Sequence, residues 1–430
     1  MSVFTFCHIY ALLVVLVVLR GTTSLDDLKI CSTPDCPNEH IEVADEIAGT
    51  IHRYSQNAAN FQEAKASRSP AKDVEPRGHV NGQSPEAIVT AQRQHPVNAV
   101  EENIFWSATV EGAIPPGLSY SVTEGWKKRI RQLRVVKVEN ASIDKCGSNM
   151  NRHVVFDDGT TACARYRHPM VQFVLGDLYC YYLGRMIGLQ NVPTVVLSHV
   201  SNDSSSQWSS VTADIRNAGW KNDTVASFSL WIDNIGKSHL PEIMFNNQRG
   251  TIYPSTPGFA DLNITTLVEL AQFSDLVIFD YITAHLDRMT IRKNAVEYYQ
   301  QDWLYKGEVH NLAQHKSNGG LWFIDNENGL FNSYPVAYSK ANKEQMQGYH
   351  EELLRSFCIF RRSTFKNVHG LARMEDPFNA LDMAVHHNEP VTKMMEEVKK
   401  SFMVGLKERF KQRLLNVVHW MDECQSRSSG

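Results

Sequence analysis

Three acidic residues stand in sequence surroundings that favour chemistry. Asp325 directly follows the apolar run Leu321–Ile324, which predicts a buried strand, and carboxylate oxygens fixed at a strand end suit Mg²⁺ or Mn²⁺. Asp287 stands beside Arg288 where a long helix is predicted to end, a place where a carboxylate can act as a catalytic acid or base. Asp177 lies at the edge of the apolar stripe of another predicted helix, so we expect it to be half-buried and paired.

Each of these acids also has a simpler explanation. Asp287 and Arg288 could form a salt bridge, the residues after Asp325 could be a polar turn, and Asp177 could cap a neighbouring helix. Their order is more informative, because a helix acid, an Asp near a helix end and a strand-end Asp follow one another in kinase-like folds. The sequence contains no nucleophile elbow, Walker A loop or H-E-x-x-H motif.

The elements that would position these acids alternate between strand and helix. Val154–Arg165 is typical of a hairpin, with its turn at Asp157, Asp158 and Gly159. Apolar residues at spacings of three and four predict helices, and a β-branched run predicts a strand. The predicted helices cover residues 124–137, 171–189, 265–284 and 391–423, and the strand covers 194–200. This order predicts an α+β protein with two lobes, and the basic residues of helix 124–137 are interpreted as a solvated face.

Composition limits the classes of partner. The formal net charge is −4 and the isoelectric point is near 6.5, which argues against nucleic acid because binding phosphate backbones needs a basic surplus. Hydrophobic residues make up 43% of the chain, enough for a substantial core.

The N-terminal 20 residues differ from the rest. Val3–Leu19 is almost entirely apolar and is closed by Arg20, which predicts a signal peptide or a type II membrane anchor. The segment before the apolar run has no Lys or Arg, and both readings stay open. Residues 21–100 are predicted to be a low-complexity, disordered stem, because Ser, Asn, Gln, Pro and Ala dominate there.

A secretory address agrees with the sequons and the cysteines. Asn-x-Ser/Thr sequons, which predict glycosylation, occur at Asn140, Asn202, Asn222 and Asn263. In an oxidising compartment we expect disulfides Cys146–Cys163, flanking the hairpin, and Cys358–Cys424, within the C-terminal helices. Cys31 and Cys36 could close a small loop in the stem. Cys180 remains as a buried thiol.

Five ordered segments resemble the four-jointed family, from about Ile104 to Cys424. They are Cys146–Asn149, Asp158–Tyr166, Gly176–Arg185, Phe279–Ala284 and Ile324–Glu327. The resemblance implies an atypical two-lobed protein-kinase-like fold in residues 101–425, with an N-terminal lobe at about 101–225 and a C-terminal lobe at about 233–425. It also implies a Golgi-lumenal, type II membrane Ser/Thr kinase that uses ATP with Mn²⁺ or Mg²⁺.

The resemblance further implies substrates and site residues. Substrates would be extracellular cadherin domains of the Fat and Dachsous type, phosphorylated in planar cell polarity and growth control. The implied roles are catalytic for Asp287, metal-binding for Asp325, Glu327 and Asn294, phosphate-binding for Arg165 with its helix partner Asp177, and adenine contact through the backbone at Phe228 and Leu230. Arg165 stands where a Lys is expected, and Asp177 stands where a Glu is expected.

Two other functions fit the same sequence. A Golgi glycosyltransferase would share the membrane segment, the stem and an acidic metal site. A non-catalytic lumenal binding protein on a degenerate kinase fold would explain the substitutions at Arg165 and Asp177.

Overall fold

A computed structural model describes residues 98–142, 145–147, 150–246, 250–299, 305–340 and 343–428. The predicted targeting segment, nearly all of the predicted stem, Cys31 and Cys36 lie outside these residues. No helix among the residues described is long and apolar enough to cross a membrane.

The strands are short, and most of them belong to two antiparallel sheets. Numbered in chain order, they are β1 Val100–Glu101, β2 Phe105–Trp106, β3 Val135–Asn140, β4 Asn151–Phe156, β5 Thr161–Tyr166, β6 Val195–Val200, β7 Thr224–Leu230, β8 Ile235–His239, β9 Glu308–His315 and β10 Leu321–Phe323.

Helices dominate the second half of the described chain. They are α1 Ala108–Ala113, α2 Tyr120–Gln132, α3 Gln172–Met186, α4 Thr212–Asn217, α5 Glu242–Asn246, α6 Ile264–Thr283, α7 Ile291–Tyr299, α8 Ser333–Ala337, α9 Lys343–Leu354, α10 Arg362–Ala372, α11 Pro377–Asn388, α12 Glu396–Phe402 and α13 Leu406–Ser428. Short 3₁₀ turns lie at Ser209–Val211, Phe259–Asp261, Asn326–Asn328 and Pro390–Met395, and a π-helical turn spans Leu286–Thr290.

A five-stranded antiparallel sheet forms the first lobe, in the order β3-β4-β5-β7-β6. The predicted turn between β4 and β5 is confirmed, with Gly159 at φ +83°, a conformation that glycine adopts without a Cβ clash. Phe156, Trp208 and Phe228 centre the separate hydrophobic core of this lobe. Helix α3 connects β5 to β6 and faces the second lobe.

The second lobe is built around α6, which is almost completely buried. The three-stranded sheet β10-β9-β8 and the helices α7 to α13 belong to this half. Residues at the start of the predicted N-terminal lobe pack here as well: Trp106 Nε1 donates to Ser274 Oγ on α6 at 3.1 Å. The chain therefore contacts the helical lobe before it builds the sheet.

Both predicted disulfides of the folded part are present. Cys146 is bonded to Cys163 on β5, and Cys358 is bonded to Cys424 on α13. Cys180 is a free, buried thiol, as expected.

Two predicted helices were wrong in extent. The helix predicted for 124–137 is α2, which ends at Gln132, because Val135 begins a strand that pairs with β4. The single helix predicted for 391–423 is a 3₁₀ turn, α12 and α13. Gly405, at φ +69°, separates the two helices, since its left-handed backbone cannot continue a helix.

Candidate active site

Arg165 lies at the centre of a cluster of three acids between the lobes. It is on β5, held between β4 and β7 opposite Asn151 and Ser227. Its Nη1 forms an ion pair with Asp325 Oδ1 and lies 3.4 Å from Glu327 Oε2, and its Nε lies 3.5 Å from Asp177 Oδ2. Burial acts against this charge, but the three carboxylates outweigh it and raise the pKa of Arg165.

Asp177 comes from α3, which approaches the 325–329 loop closely. A Cβ on Gly176 would lie 2.5 Å from the Glu327 carbonyl oxygen, and one on Gly329 would lie 2.3 Å from Cys180 Sγ. Only glycine at both positions allows this approach. Asp177 is buried, not half-buried as expected, and it accepts hydrogen bonds from Ser229 Oγ at 3.2 Å and from the Asn326 amide at 3.3 Å.

Hydrogen bonds from Arg288 fix the loop that carries Asp325. Asp325 lies two residues after the end of β10 and adopts a left-handed backbone at φ +55°. Arg288 Nη2 donates to the Ile324 carbonyl at 3.1 Å and to Asn326 Oδ1 at 2.9 Å, and its Nη1 forms a buried ion pair with Asp280. The loop is therefore held by side chains from α6 and from the turn after it.

Asp287 lies in the π-helical turn after α6, and neighbouring side chains orient its carboxylate. Oδ2 accepts hydrogen bonds from Asn311 Nδ2 at 3.0 Å and from Asn328 Nδ2 at 3.1 Å. His310 Nδ1 lies 3.3 Å from Oδ1. Because Asn328 belongs to the Asp325 loop and Asn311 to β9, the predicted catalytic and metal-binding acids share one hydrogen-bonded framework.

The two acids of the loop differ in protonation behaviour. Burial acts against ionisation of Asp325, but the charge of Arg165 outweighs it and lowers the pKa of Asp325. Burial and the nearby charge of Asp325 raise the pKa of Glu327, although Arg167 and Arg165 act against this shift. Asp325 is therefore the carboxyl group of the pair that ionises more readily.

Oxygen donors from two carboxylates suit a divalent ion that completes its shell with phosphate oxygens and water. Within the described residues, no group of three or more His, Cys, Asp or Glu side chains could hold a metal ion alone. Asp325 and Glu327 fit Mg²⁺ or Mn²⁺ bound together with a nucleotide, and they do not form a closed protein site.

Arg167 completes the cluster and was not predicted. It is buried; its Nε donates to Glu327 Oε2 at 2.8 Å, and its Nη2 donates to Asn151 Oδ1 at 2.6 Å. Arg167 directly follows β5, two residues after Arg165, and continuing the alternation of the strand to it is the signal in the sequence that could have indicated it.

Two predicted site residues lie elsewhere. Asn294 is buried on α7, and its Oδ1 accepts a hydrogen bond from Gln345 on α9 at 3.3 Å, which ties it to that helix and not to the Asp325 loop. Phe228 lies in mid-sheet, paired with both β5 and β6, and the adenine contact predicted there stays a prediction. Leu230 ends β7, where the chain leaves the sheet.

All four sequon asparagines are exposed. Asn263 also caps α6, since its Oδ1 accepts the Thr266 amide hydrogen at 2.9 Å. Their glycosylation stays a prediction.

A five-stranded sheet with a helix between its third and fourth strands, followed by a mainly helical lobe with acids at the cleft, defines a protein-kinase-like α+β fold, as the sequence predicted. Residues 121–427 match the family described as four-jointed box protein middle domain, and the chain belongs to the four-jointed family.

Two curated relatives and one solved structure are similar to this chain to the following extent. The chain is 32% identical to four-jointed box protein 1 of Xiphophorus maculatus over 361 residues, covering 83% of this chain and 80% of the relative. It is 29% identical to the extracellular serine/threonine protein kinase four-jointed of Drosophila melanogaster, covering 63% of this chain but only 52% of that protein. A crystal structure of the Golgi casein kinase is similar with a TM-score of 0.46 at 11% identity, covering 72% of this chain and 78% of that one.

Proposed function

We propose that this protein is a Ser/Thr protein kinase of the secretory pathway, which transfers the γ-phosphate of ATP to a protein hydroxyl. The observation that carries the proposal is the convergence on one cleft of Arg165 from the sheet, Asp177 from α3, and Asp325 and Asp287 from the helical lobe. Phosphoryl transfer needs little beyond positioning and charge neutralisation, and these four groups can supply both.

In this proposal Asp287 accepts the proton of the attacking hydroxyl. Asn311 and Asn328 both donate to Oδ2, so Oδ1 is the oxygen less occupied by hydrogen bonds and more available to the substrate. Fixing the carboxylate in this way lowers the cost of orienting it during the reaction.

Arg165 supplies positive charge to the phosphates. A guanidinium can bind phosphate oxygens bidentately, where a Lys offers a single point charge. Asp325 and Glu327 are the residues that would hold the divalent ion, which when bound neutralises charge on the transferring phosphoryl group. The end of β7 at Leu230 is the proposed neighbour of the adenine ring.

The substrates proposed from the family are cadherin domains of the Fat and Dachsous type, in the Golgi lumen, with a role in planar cell polarity. The exposed sequons and two disulfides support a lumenal setting. The name of the Drosophila relative, an extracellular Ser/Thr kinase, supports the reaction class.

One observation favours a second candidate, a non-catalytic binding protein. The ion pair between Arg165 and Asp325 joins the two groups that would otherwise meet phosphate and metal. If this pair outcompetes the nucleotide, the cleft stays closed to ATP.

Nucleotide binding separates the two candidates. The purified secreted protein is heated with ATP and Mn²⁺, with ATP and a chelator, and with a UDP-sugar and Mn²⁺. A kinase predicts a raised unfolding temperature with ATP and Mn²⁺ only, since a ligand that binds the folded state stabilises it. No shift with any nucleotide, together with binding to a cadherin-domain fragment, would favour the non-catalytic candidate.

A further inference from the structure

A second charged cluster lies behind α3, on the side away from the cleft. Residues 377–402, which comprise α11, the turn Pro390–Met395 and α12, are termed the clasp here. Helical geometry places Tyr179 and Tyr182 about 200° and about 140° around α3 from Asp177. Each of these tyrosines donates its hydroxyl hydrogen to an acid of the clasp, Tyr179 to Asp382 and Tyr182 to Glu389.

Glu389 accepts hydrogen bonds from three elements of the sheet lobe. Its side chain is 1% exposed. Oε1 accepts from Arg131 Nη2 on α2 at 2.6 Å and from the Tyr182 hydroxyl on α3 at 3.0 Å, and Oε2 accepts from the Leu197 amide on β6 at 3.2 Å. Lys127 Nζ lies 3.5 Å from Oε1. A buried carboxylate with this many donors fixes the relative positions of the elements that supply them.

One basic residue of α2 departs from the solvated face that the sequence suggested, whereas Lys128, Arg129 and Arg131 are exposed as expected. Lys127 is completely buried, and its Nζ donates to the Tyr182 hydroxyl at 2.7 Å and to Glu124 at 3.2 Å. The charge of Lys127 is thus turned inward against α3, and Arg131, although exposed, reaches Glu389 of the clasp from the same helix.

The clasp is itself held by charge and by aromatic packing. Lys399 on α12 is buried and donates to Asp382 at 3.0 Å and 3.3 Å, so the acid that binds Tyr179 is neutralised within the clasp. Phe378 on α11 stacks on the Tyr179 ring with centroids 5.9 Å apart. The contact with α3 thus extends beyond a single hydrogen bond.

Helix α3 is fixed on both faces. Gly176 and Asp177 face the 325–329 loop, and Tyr179 and Tyr182 face the clasp. The Arg165–Asp177 contact requires α3 to stay at its present distance from β5.

We propose that Glu389 is a positioning residue for nucleotide binding. It holds α3 on the side opposite the cleft and thereby keeps Asp177 in contact with Arg165. The inference rests on the proposed kinase function, because the consequence that it assigns to Glu389 is ATP affinity. Glu389 touches none of the groups of the cleft, and of its contacts with α2, α3 and β6 it is the one with α3 to which the proposal assigns the effect.

The test compares two variants of the full-length secreted protein with a matched control. Glu389→Gln keeps the size and one acceptor oxygen but removes the charge, and Tyr182→Phe removes only the bridging hydroxyl. The control is Asp275→Asn. Asp275 is an equally buried acid on α6, away from α3. It accepts hydrogen bonds at 2.7 Å from Arg361 and from Thr364 on α10. Tyr182→Phe covers the case in which Glu389→Gln does not fold.

Two quantities are measured: the Kd of ATP with Mn²⁺, and hydrogen exchange of the amides of residues 172–186. We expect Glu389→Gln to weaken ATP binding about tenfold, the loss typical of a hydrogen bond to a charged group, and Tyr182→Phe to weaken it only about threefold, because the Glu389 carboxylate keeps its bonds to α2 and β6. Exchange in 172–186 should accelerate in both variants, while Asp275→Asn should change neither quantity.

Several outcomes decide against the proposal. It is overturned if Glu389→Gln and Tyr182→Phe match Asp275→Asn in both quantities, or if exchange accelerates while ATP affinity stays at the wild-type value. If the wild type itself does not bind ATP, the proposed function fails, and the assignment of Glu389 to nucleotide binding fails with it. The exchange data then report separately whether Glu389 holds α3.

Discussion

Arg165 Nε on β5 lies 3.5 Å from Asp177 Oδ2 on α3. The same guanidinium reaches Asp325 and Glu327 through Nη1, so one cation joins the sheet, the helix and the loop that together form the cleft. This arrangement unites the fold and the proposed chemistry, because the residue that would neutralise phosphate also holds the three acids in place.

Removing the positive charge of Arg165 should destabilise the protein more than removing a charge on the surface does. In Arg165→Met the largely buried carboxylates of Asp177 and Asp325 lose their partner, while Glu327 keeps Arg167, and we expect the free energy of unfolding to fall by about 3–5 kcal/mol. Arg165→Lys should lose less, since an ammonium can still pair with one or two of the acids. Urea denaturation measures both.

The control is Arg129→Met, which breaks the exposed pair with Asp158. It should cost less than about 1 kcal/mol. A loss in Arg165→Met as small as in this control would contradict the central role of Arg165.

Gly176 should resist even the smallest side chain. Its Cβ would meet the carbonyl oxygens of Glu327 and Gly329 at 2.5 Å and 2.8 Å, and backbone atoms cannot rotate away. We expect Gly176→Ala to lower the free energy of unfolding by about 1–3 kcal/mol and to weaken ATP binding, because α3 and the loop must separate. The measurements are urea denaturation and ATP titration.

Gly125→Ala is the matched control, since nothing lies within 4 Å of its Cβ position on α2. Alanine there should stabilise the helix by about 0.5–1 kcal/mol. Equal stability of the two variants would show that α3 does not pack on the loop as described.

Loss of the Cys358–Cys424 disulfide should destabilise the helical lobe. The bond closes a separation of 66 residues and joins the segment before α10 to α13. We expect the double substitution Cys358→Ala and Cys424→Ala to lower the free energy of unfolding by about 2–5 kcal/mol. Calorimetry of the secreted variant checks this, and an unchanged unfolding temperature would contradict it.

Stability should depend on pH through His350. Burial, with the charge of Arg413, lowers the pKa of His350 to about 3. The unfolded chain therefore binds a proton below the ordinary value of 6.5 that the folded chain does not bind, so the contribution is full above 6.5 and is lost as the pH falls. Between about pH 7 and about pH 5.5 the loss is about 1 kcal/mol.

The comparison is between the wild type and His350→Gln, which keeps a donor and an acceptor but does not titrate. Urea denaturation at the two pH values should show a wild-type loss that exceeds the variant's loss by about 1 kcal/mol. Identical pH dependence in the two proteins would show that folding does not lower the pKa of His350.

Features set by neighbouring residues could be predicted from the sequence. The Asp157–Gly159 turn, the apolar spacing of α3 and α6 and the strand ahead of Asp325 are local patterns, and the structure confirms them. The resemblance to the four-jointed family placed Arg165, Asp177, Asp325 and Glu327 in one site, and the structure brings them together.

Contacts between segments that are far apart in the sequence could not be predicted from it. Asn311 and Asn328 contact Asp287 from 24 and 41 residues away, and nothing in their own surroundings marks them. Arg131 and Glu389 are 258 residues apart, and nothing in the sequence marked Lys127 as the one basic residue of α2 that is buried. Burial of a charge depends on its tertiary partner, which periodicity does not encode.

Phosphoryl transfer itself is the most direct test of the account. The secreted wild type, Asp325→Asn and Asp287→Asn are incubated with γ-labelled ATP, Mn²⁺ and a secreted cadherin-domain fragment, after ATP binding by each protein has been measured. We expect label on Ser or Thr of the fragment with the wild type, a loss of about 10²-fold or more in rate for Asp287→Asn with ATP binding retained, and loss of Mn²⁺-dependent ATP binding for Asp325→Asn. Equal incorporation by the wild type and both variants would contradict the assignment of the site, and a wild type that binds ATP but labels no protein acceptor would contradict the kinase function.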